Sequence, residues 1–272
     1  MIPRIVHQTE ENWATLPDNI KATMKGLRHK NKDFDFRYYD ANQRRQYISD
    51  HYGSNFLAAY DALDPLYGAA RADLFRYCVV LRSGGIYIDA KSSIKEPLTR
   101  ITDGHENLVV SPPEAFNCIG FRAIQISQIR MKNRNLISQS FFAAPQNDPM
   151  LAFILKTATD KIDKYIPHKD GLGAVGVFNI TGPKMFTRAI VCSPQEMNIS
   201  FVTSNEIGFE FSGGLPREAV RLSNRRHYSC LLNDVVLKEY NNTPFRALSR
   251  VVALAKYGPE IILKRWKVAK SG

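Results

Sequence analysis

The chain has 272 residues, 44% of them apolar and 11% aromatic, enough to fill one large core or two small ones, which excludes a disordered chain and a coiled coil. Sixteen glycines and fourteen prolines are an ordinary share, and no apolar run reaches the roughly 18 residues a spanning helix needs, so collagen-like sequence and a membrane-crossing helix are excluded as well. Net charge is +11, but residues 246–272 carry seven Lys/Arg against one Glu, so the basicity is largely a property of the C-terminal end.

The opening MIPRIVHQTEEN reads as a strand over 2–8; with one basic residue and no apolar h-region, it implies a cytosolic protein without a secretory signal. A helix is expected over 65–82, a strand over 86–91, and further strands over 108–112 and 121–127. Asp148-Pro149 is an N-cap followed by proline at the first helical position. It opens an apolar-periodic helix through Leu151, Ile154, Leu155, Ala158 and Ile162. GLGAVG at 171–176 fits GxGxxG, yet it follows no strand and runs into the strand-like Val177–Ile180, so it reads as a flexible loop rather than a dinucleotide fingerprint. Another helix starts at Pro183 after Thr181-Gly182. Strands alternating with helices give an α/β domain with a mostly parallel sheet, in which ligands sit at the carboxyl ends of strands. Cys78, Cys118, Cys192 and Cys230 show no CxxC spacing and read as reduced core thiols. Asn-Asn-Thr-Pro at 241–244 separates a domain over 1–241 from a basic tail over 242–272.

The chemistry concentrates in AARADLFRYCVVLRSGGIYIDAKSSI, residues 69–94. Asp73 and Arg76 stand three apart, next to the helix arc of Ala70, Leu74, Tyr77 and Leu81. At the edge of an apolar face both need partners; on spacing alone they would pair with each other. Gly84-Gly85 ends the helix, and Ile86-Tyr87-Ile88-Asp89 alternates as a strand with Ile86 and Ile88 toward the core. Tyr87, Asp89 and Lys91 then share the opposite face at the strand's carboxyl end. A carboxylate there suits a transferase that holds a divalent cation against a pyrophosphate.

This block, sixteen residues from Asp73 to Asp89 with Arg76 between and Gly-Gly-Ile-Tyr before the acid, resembles the DXD region of GT-A glycosyltransferases. It is most similar to glycosyltransferase family 32, the DXD-containing family of capsular polysaccharide and mannosyl transferases. IPRIVHQT resembles that family's first strand, AAPQNDPML its mid-domain segment, and NITGPKMFTRAI its Thr-Gly-Pro helix start. The resemblance implies a GT-A fold and a retaining hexosyltransferase that uses a UDP- or GDP-sugar and a glycan or lipid-linked saccharide acceptor, in polysaccharide or surface-glycan synthesis. It implies that Val6, His7 and Gln8 line the nucleotide pocket, that Asp73 and Arg76 hold donor-sugar hydroxyls, and that Tyr87 flanks the sugar or diphosphate. It further implies that Asp89 meets the metal or pyrophosphate and that His227 gives a second metal or phosphate contact; as a lone histidine in a polar run, His227 equally reads as a surface residue.

One departure matters. The second acid of Asp-x-Asp is here Lys91, which replaces a hard oxygen ligand for Mn²⁺ or Mg²⁺ with an ammonium. Three accounts follow: Asp89 keeps a metal with His227 or water; Lys91 replaces part of the cation against phosphate; or the chain is an inactive nucleotide-sugar or carbohydrate binder. Retention of Asp73, Arg76, Tyr87 and Asp89 favours activity.

In the tail, Phe245, Leu248, Val251, Val252 and Ala255 share one side of a helix over 245–256, with Arg246, Ser249, Arg250 and Lys256 opposite. Tyr257-Gly258-Pro259 is expected to break it. Lys264, Arg265, Trp266 and Lys267 follow, which suits an anionic membrane surface at the inner face of a membrane; the alternative is a helix packed on the domain with a solvated basic face. No helix-turn-helix, zinc-finger or RNP pattern supports nucleic-acid binding, and no GxSxG, HExxH or Walker A pattern supports a hydrolase or NTPase.

Overall fold

Gly84 and Gly85, at φ +65° and +102°, reverse the chain between a buried helix and the central strand of a sheet. A Cβ on Gly85 would lie 2.5 Å from the Ile5 carbonyl oxygen, so only glycine lets the two neighbouring strands close here. The computed structural model describes residues 1–111, 136–193, 198–211, 228–237 and 244–270. Its elements are β1 (Ile5–Thr9), α1 (Asp18–Lys30), β2 (Asp35–Tyr39), α2 (Ala41–His51), α3 (Ser54–Ala62), α4 (Gly68–Ser83), β3 (Gly85–Ile88), β4 (Ser93–Ile94), α5 (Thr99–Thr102) and β5 (Leu108–Ser111). They continue with β6 (Ser138–Ala144), α6 (Pro149–Asp163), α7 (Pro167–Asp170), α8 (Gly173–Ile180), α9 (Pro183–Val191), β7 (Ile199–Phe201), α10 (Ser204–Ile207), β8 (Phe209–Glu210), a 3₁₀ turn at Tyr228–Cys230 and α11 (Pro244–Lys270).

The main sheet has the order β2-β1-β3-β6-β5-β7, with β4 and β8 forming a separate pair. Strand β1 is parallel to β2 and β3, and β5 to β7, while β6 runs against both its neighbours. Alternation along β3 sends Ile86 and Ile88 into one core layer and Tyr87 into the other. Both faces of the sheet are therefore covered, as a mostly parallel sheet requires. The larger layer packs α4, α6 and α9 on the sheet through Leu74, Tyr77, Cys78, Leu151, Ile154 and Phe186.

Most of the expected elements lie where their sequence signals put them, with ends set by local bonding. Strand β1 starts at Ile5 because the Ile5 amide turns back to the Pro3 carbonyl at 2.8 Å. The helix expected over 65–82 begins at Gly68 after a turn from the Tyr67 amide to the Asp64 carbonyl, 2.8 Å. Asp148 caps α6 by accepting from the Leu151 amide at 2.8 Å, and all five predicted apolar positions of that helix are buried. The segment 121–127 lies outside the described residues, as do Cys118 and His227.

Four readings are corrected. The strand expected over 86–91 stops at Ile88, because the Ser92 amide bonds the Asp89 carbonyl at 2.8 Å and closes a turn. The loop and strand expected over 171–180 are helix α8: Val177 and Ile180 enter the core one turn apart, and Gly176 lets α8 pack where a Cβ would meet Val235 at 2.5 Å. Burial on a helical period overrides the β-branched character of the segment. The expected break at 257–259 does not occur; α11 continues through Pro259. Interior proline costs about 3 kcal/mol, offset here by buried contacts on both sides of it, at Ala253 and Ile261. Cys192 is exposed rather than in the core, while Cys78 and Cys230 are buried, and all three are free thiols.

Candidate active site

Helix α4 and strand β3 together aim a buried cation at two carboxylates. Arg76 is 6% exposed and Asp73 4%. Nη2 of Arg76 lies 3.1 Å from Asp73 Oδ1 and 3.3 Å from Asp89 Oδ1, its Nη1 donates to the Gln139 carbonyl at 2.7 Å, and its guanidinium stands 4.5 Å from the Tyr87 ring centroid. The spacing-based pairing of Asp73 with Arg76 thus exists, but it is half of an arrangement that also takes in Asp89. Burial alone would lower Arg76, yet Tyr87, Asp89 and Asp73 hold it above its ordinary value. It is charged at any accessible pH.

Asp73 sits at the inner end. It accepts from Gln139 Nε2 at 2.9 Å and from the Thr181 hydroxyl at 3.1 Å. Burial pushes its carboxyl up to about 6, against the pull of Arg76 and of both hydrogen bonds, with Asp89 adding to the rise. Asp89 sits at the outer end, with its side chain 16% exposed. The Tyr87 hydroxyl donates to the same Oδ1 at 2.8 Å, which leaves Oδ2 as the oxygen that can meet a ligand.

Lys91 does not continue the face of Tyr87 and Asp89, because the strand has ended. Its Nζ lies 5.1 Å from the Phe211 ring centroid. Glu10, at the end of β1, is pushed up by burial and pulled down by Lys91, and Asp89 adds to the rise; it is the acidic neighbour of both. Among the described residues, no group of three or more His, Cys, Asp or Glu could hold a metal ion. One carboxylate flanked by Arg76 and followed by Lys91 does not by itself build a site for Mn²⁺ or Mg²⁺.

The residues expected to line a nucleotide pocket separate by role. Val6 is fully buried in the core layer under β3. His7 is fully buried too: Nε2 lies 2.9 Å from the Gly84 carbonyl and Nδ1 3.4 Å from the Tyr39 hydroxyl, so the ring donates from one nitrogen and accepts at the other. Burial lowers its pKa to about 4, and the neutral ring ties β1 to the turn before β3. Gln8 has a buried Nε2 without a hydrogen-bond partner, and so does the hydroxyl of Tyr38, its register partner on β2. Two orphaned polar groups side by side at the carboxyl ends of β1 and β2 are what a ligand would satisfy.

Sequence reasoning missed several residues of this site. Gln139 comes from β6 and Thr181 from the end of α8, and Tyr77 sets its hydroxyl 2.8 Å from the Thr181 carbonyl. Tyr228 is pushed up to about 12 by burial and then by Asp73 and Asp89, which places it at the same cluster. Arg44, 1% exposed, reaches the Thr9 hydroxyl at 2.9 Å, the Glu10 carbonyl at 3.2 Å and the Glu11 carboxylate; it holds the exit of β1 beside the site. Only Thr181, inside the Thr-Gly-Pro segment, carried a local signal.

Residues 17–108 match the family model described as "Glycosyltransferase sugar-binding region containing DXD motif". That span contains the Asp73–Asp89 block but not β1, the 143–151 segment or the Thr-Gly-Pro start. The chain is 31% identical over 100 residues to Inositol phosphoceramide mannosyltransferase 2 of Schizosaccharomyces pombe, covering 36% of this chain and 27% of that protein. It is 32% identical over 90 residues to Inositol phosphoceramide mannosyltransferase 3 of the same organism, covering 32% and 24%. The chain spans about a quarter of the length of these curated relatives. Among solved structures, "PaToxG Glycosyltransferase" superposes with a TM-score of 0.51 at 15% identity, over 70% of this chain and 69% of that one. The match over residues 17–108 supports the expected sugar-binding region of DXD-containing glycosyltransferases, and the superposition supports the expected GT-A type α/β fold.

Proposed function

We propose that this chain, which carries the DXD-type sugar-binding region over residues 17–108, is a hexosyltransferase that takes a sugar from a UDP- or GDP-hexose and passes it to a glycan or lipid-linked saccharide. The observation that carries the reading is a partly open carboxylate, Asp89, fixed at the end of β3 by a buried arginine that a second carboxylate also holds. A charge kept in place before substrate arrives stabilises developing charge at little reorganisation cost. Asp89 presents Oδ2 to the donor, and the Asp73–Arg76 pair orders the sugar side. The orphaned Gln8 and Tyr38 groups meet the nucleotide. Arg76 and Lys91 offset the charge that builds on the departing diphosphate.

We infer retention at the anomeric carbon by attack of the acceptor hydroxyl on the face the diphosphate leaves. Positioning and charge stabilisation then supply most of the rate, with no covalent sugar–enzyme intermediate. Should Mn²⁺ or Mg²⁺ enter with the diphosphate, Asp89 would be its protein ligand among the described residues. The acceptor is read as part of a surface polysaccharide, reached at the inner face of a membrane. Lys91 in place of the second acid favours a second reading, a binder without turnover. Incubation with UDP- and GDP-hexoses, with and without Mn²⁺, decides between them: release of free sugar and nucleoside diphosphate supports the transferase, and saturable binding without any release supports the binder.

A further inference from the structure

We propose that α11 is an interfacial anchor that lies flat on an anionic phospholipid bilayer through the face it turns away from the domain. This sharpens the membrane reading above and is independent of the donor chemistry. The helix is fixed to the domain by Ser249, Ala253, Tyr257, Ile261 and Arg265, at four-residue intervals. Ser249 Oγ lies 2.8 Å from His168 Nδ1, the Tyr257 hydroxyl donates to the His168 carbonyl at 3.4 Å, and Ala253 and Ile261 pack on Leu172. Arg265 Nε donates to the Cys230 carbonyl at 2.6 Å.

With that side held, the apolar side faces outward. Leu248 and Val251 are each 63% exposed, Ile262 57%, Leu263 50% and Val252 44%. At 100° per residue these five fall within an arc of about 120° that repeats along the whole helix. A helix on a water-bathed domain turns its broad apolar arc inward; here that arc faces outward, and the narrower side through Ser249, Ala253 and Ile261 meets the domain. It is long enough, at about 1.5 Å per residue or about 40 Å in all, to offer a continuous apolar stripe, yet no described helix is long and apolar enough to cross a membrane. Charge selects the occupant. Lys256 and Arg265 border the stripe on either side, and residues 246–272 hold seven basic residues against Glu260 alone. A second copy laid face to face would set two basic rims against each other, whereas anionic headgroups neutralise them.

The test is co-sedimentation of the full chain with vesicles of phosphatidylglycerol and phosphatidylcholine in equal parts, against phosphatidylcholine alone. The expected result is binding to the anionic vesicles that weakens with added salt. The triple variant Leu248→Gln, Val251→Gln, Ile262→Gln should bind at least about tenfold less, and Lys256→Gln about fivefold less. Both variants should keep the wild-type circular dichroism and melting temperature, since the altered side chains are exposed. Absence of binding to anionic vesicles, equal binding by the triple variant, or a soluble dimer that the triple variant converts to monomer would overturn the proposal. Donor hydrolysis measured without vesicles reads the active site separately and should be the same in the triple variant.

Discussion

Arg76 stands over the ring of Tyr87 at 4.5 Å, and both residues reach a single oxygen of Asp89, at 3.3 and 2.8 Å. Helix and strand thus fix one carboxylate from two directions. Neither contact uses Oδ2, so that oxygen is oriented without being engaged by either residue.

Tyr87→Phe removes the hydroxyl and leaves the ring beneath Arg76. The expected loss is about 1.5–3 kcal/mol of stability, the range for a hydrogen bond to a charged group, with turnover falling more than donor affinity. Steady-state kinetics that show KM rising alone would mean that Tyr87 contacts substrate rather than positioning Asp89.

Asp73→Ala leaves Arg76 with Asp89 only and deprives Gln139 Nε2 and the Thr181 hydroxyl of their acceptor. Breaking a buried pair of this kind costs about 3–5 kcal/mol, readable by urea unfolding, while Asp73→Asn should cost less. Donor-sugar affinity and turnover should both fall.

Two buried groups give opposite pH dependences. Asp73 titrates near 6 in the folded chain instead of 3.8, so the folded state binds a proton that the unfolded state has already lost; this contribution is present below 3.8 and is lost as pH rises through 6. His7 titrates near 4 instead of 6.5. Its contribution is present above 6.5 and is lost as pH falls through 4. Relative to wild type, Asp73→Asn should become more stable with rising pH over this interval, and His7→Gln less stable. Unfolding free energies at several pH values check both signs, and parallel curves for all three proteins would contradict the assignment.

Arg44→Lys keeps the charge but cannot reach Thr9, the Glu10 carbonyl and Glu11 together, because an ammonium lacks the planar fork. We expect a stability loss of about 2–4 kcal/mol and a weaker grip on the donor, since the β1 exit next to Asp89 loosens. Unchanged donor affinity in a destabilised Arg44→Lys would confine this residue to the scaffold.

What the sequence revealed was local. The helix-turn-strand over 68–88 has a strong period, a glycine pair that accepts positive φ, and alternating apolar residues, so Asp73, Arg76, Tyr87 and Asp89 were legible together. Gln139, Thr181 and Tyr228 join them from 50 to 155 positions away, through sheet pairing and core packing that leave no mark on spacing. Lys91 was read as continuing the strand because a turn that closes at Ser92 looks, residue by residue, like continued strand. The tail misled in another way: its apolar side was evident, but only the packing of Ser249 and Ala253 on the domain shows that this side faces outward.

Isothermal titration of UDP- and GDP-hexoses into wild type and Asp89→Asn tests the central claim most directly. The account predicts saturable binding of at least one nucleotide sugar by wild type, competed by the matching nucleoside diphosphate, and binding at least about tenfold weaker in a variant that melts like wild type. Equal affinity of the two proteins for the same donor would contradict it.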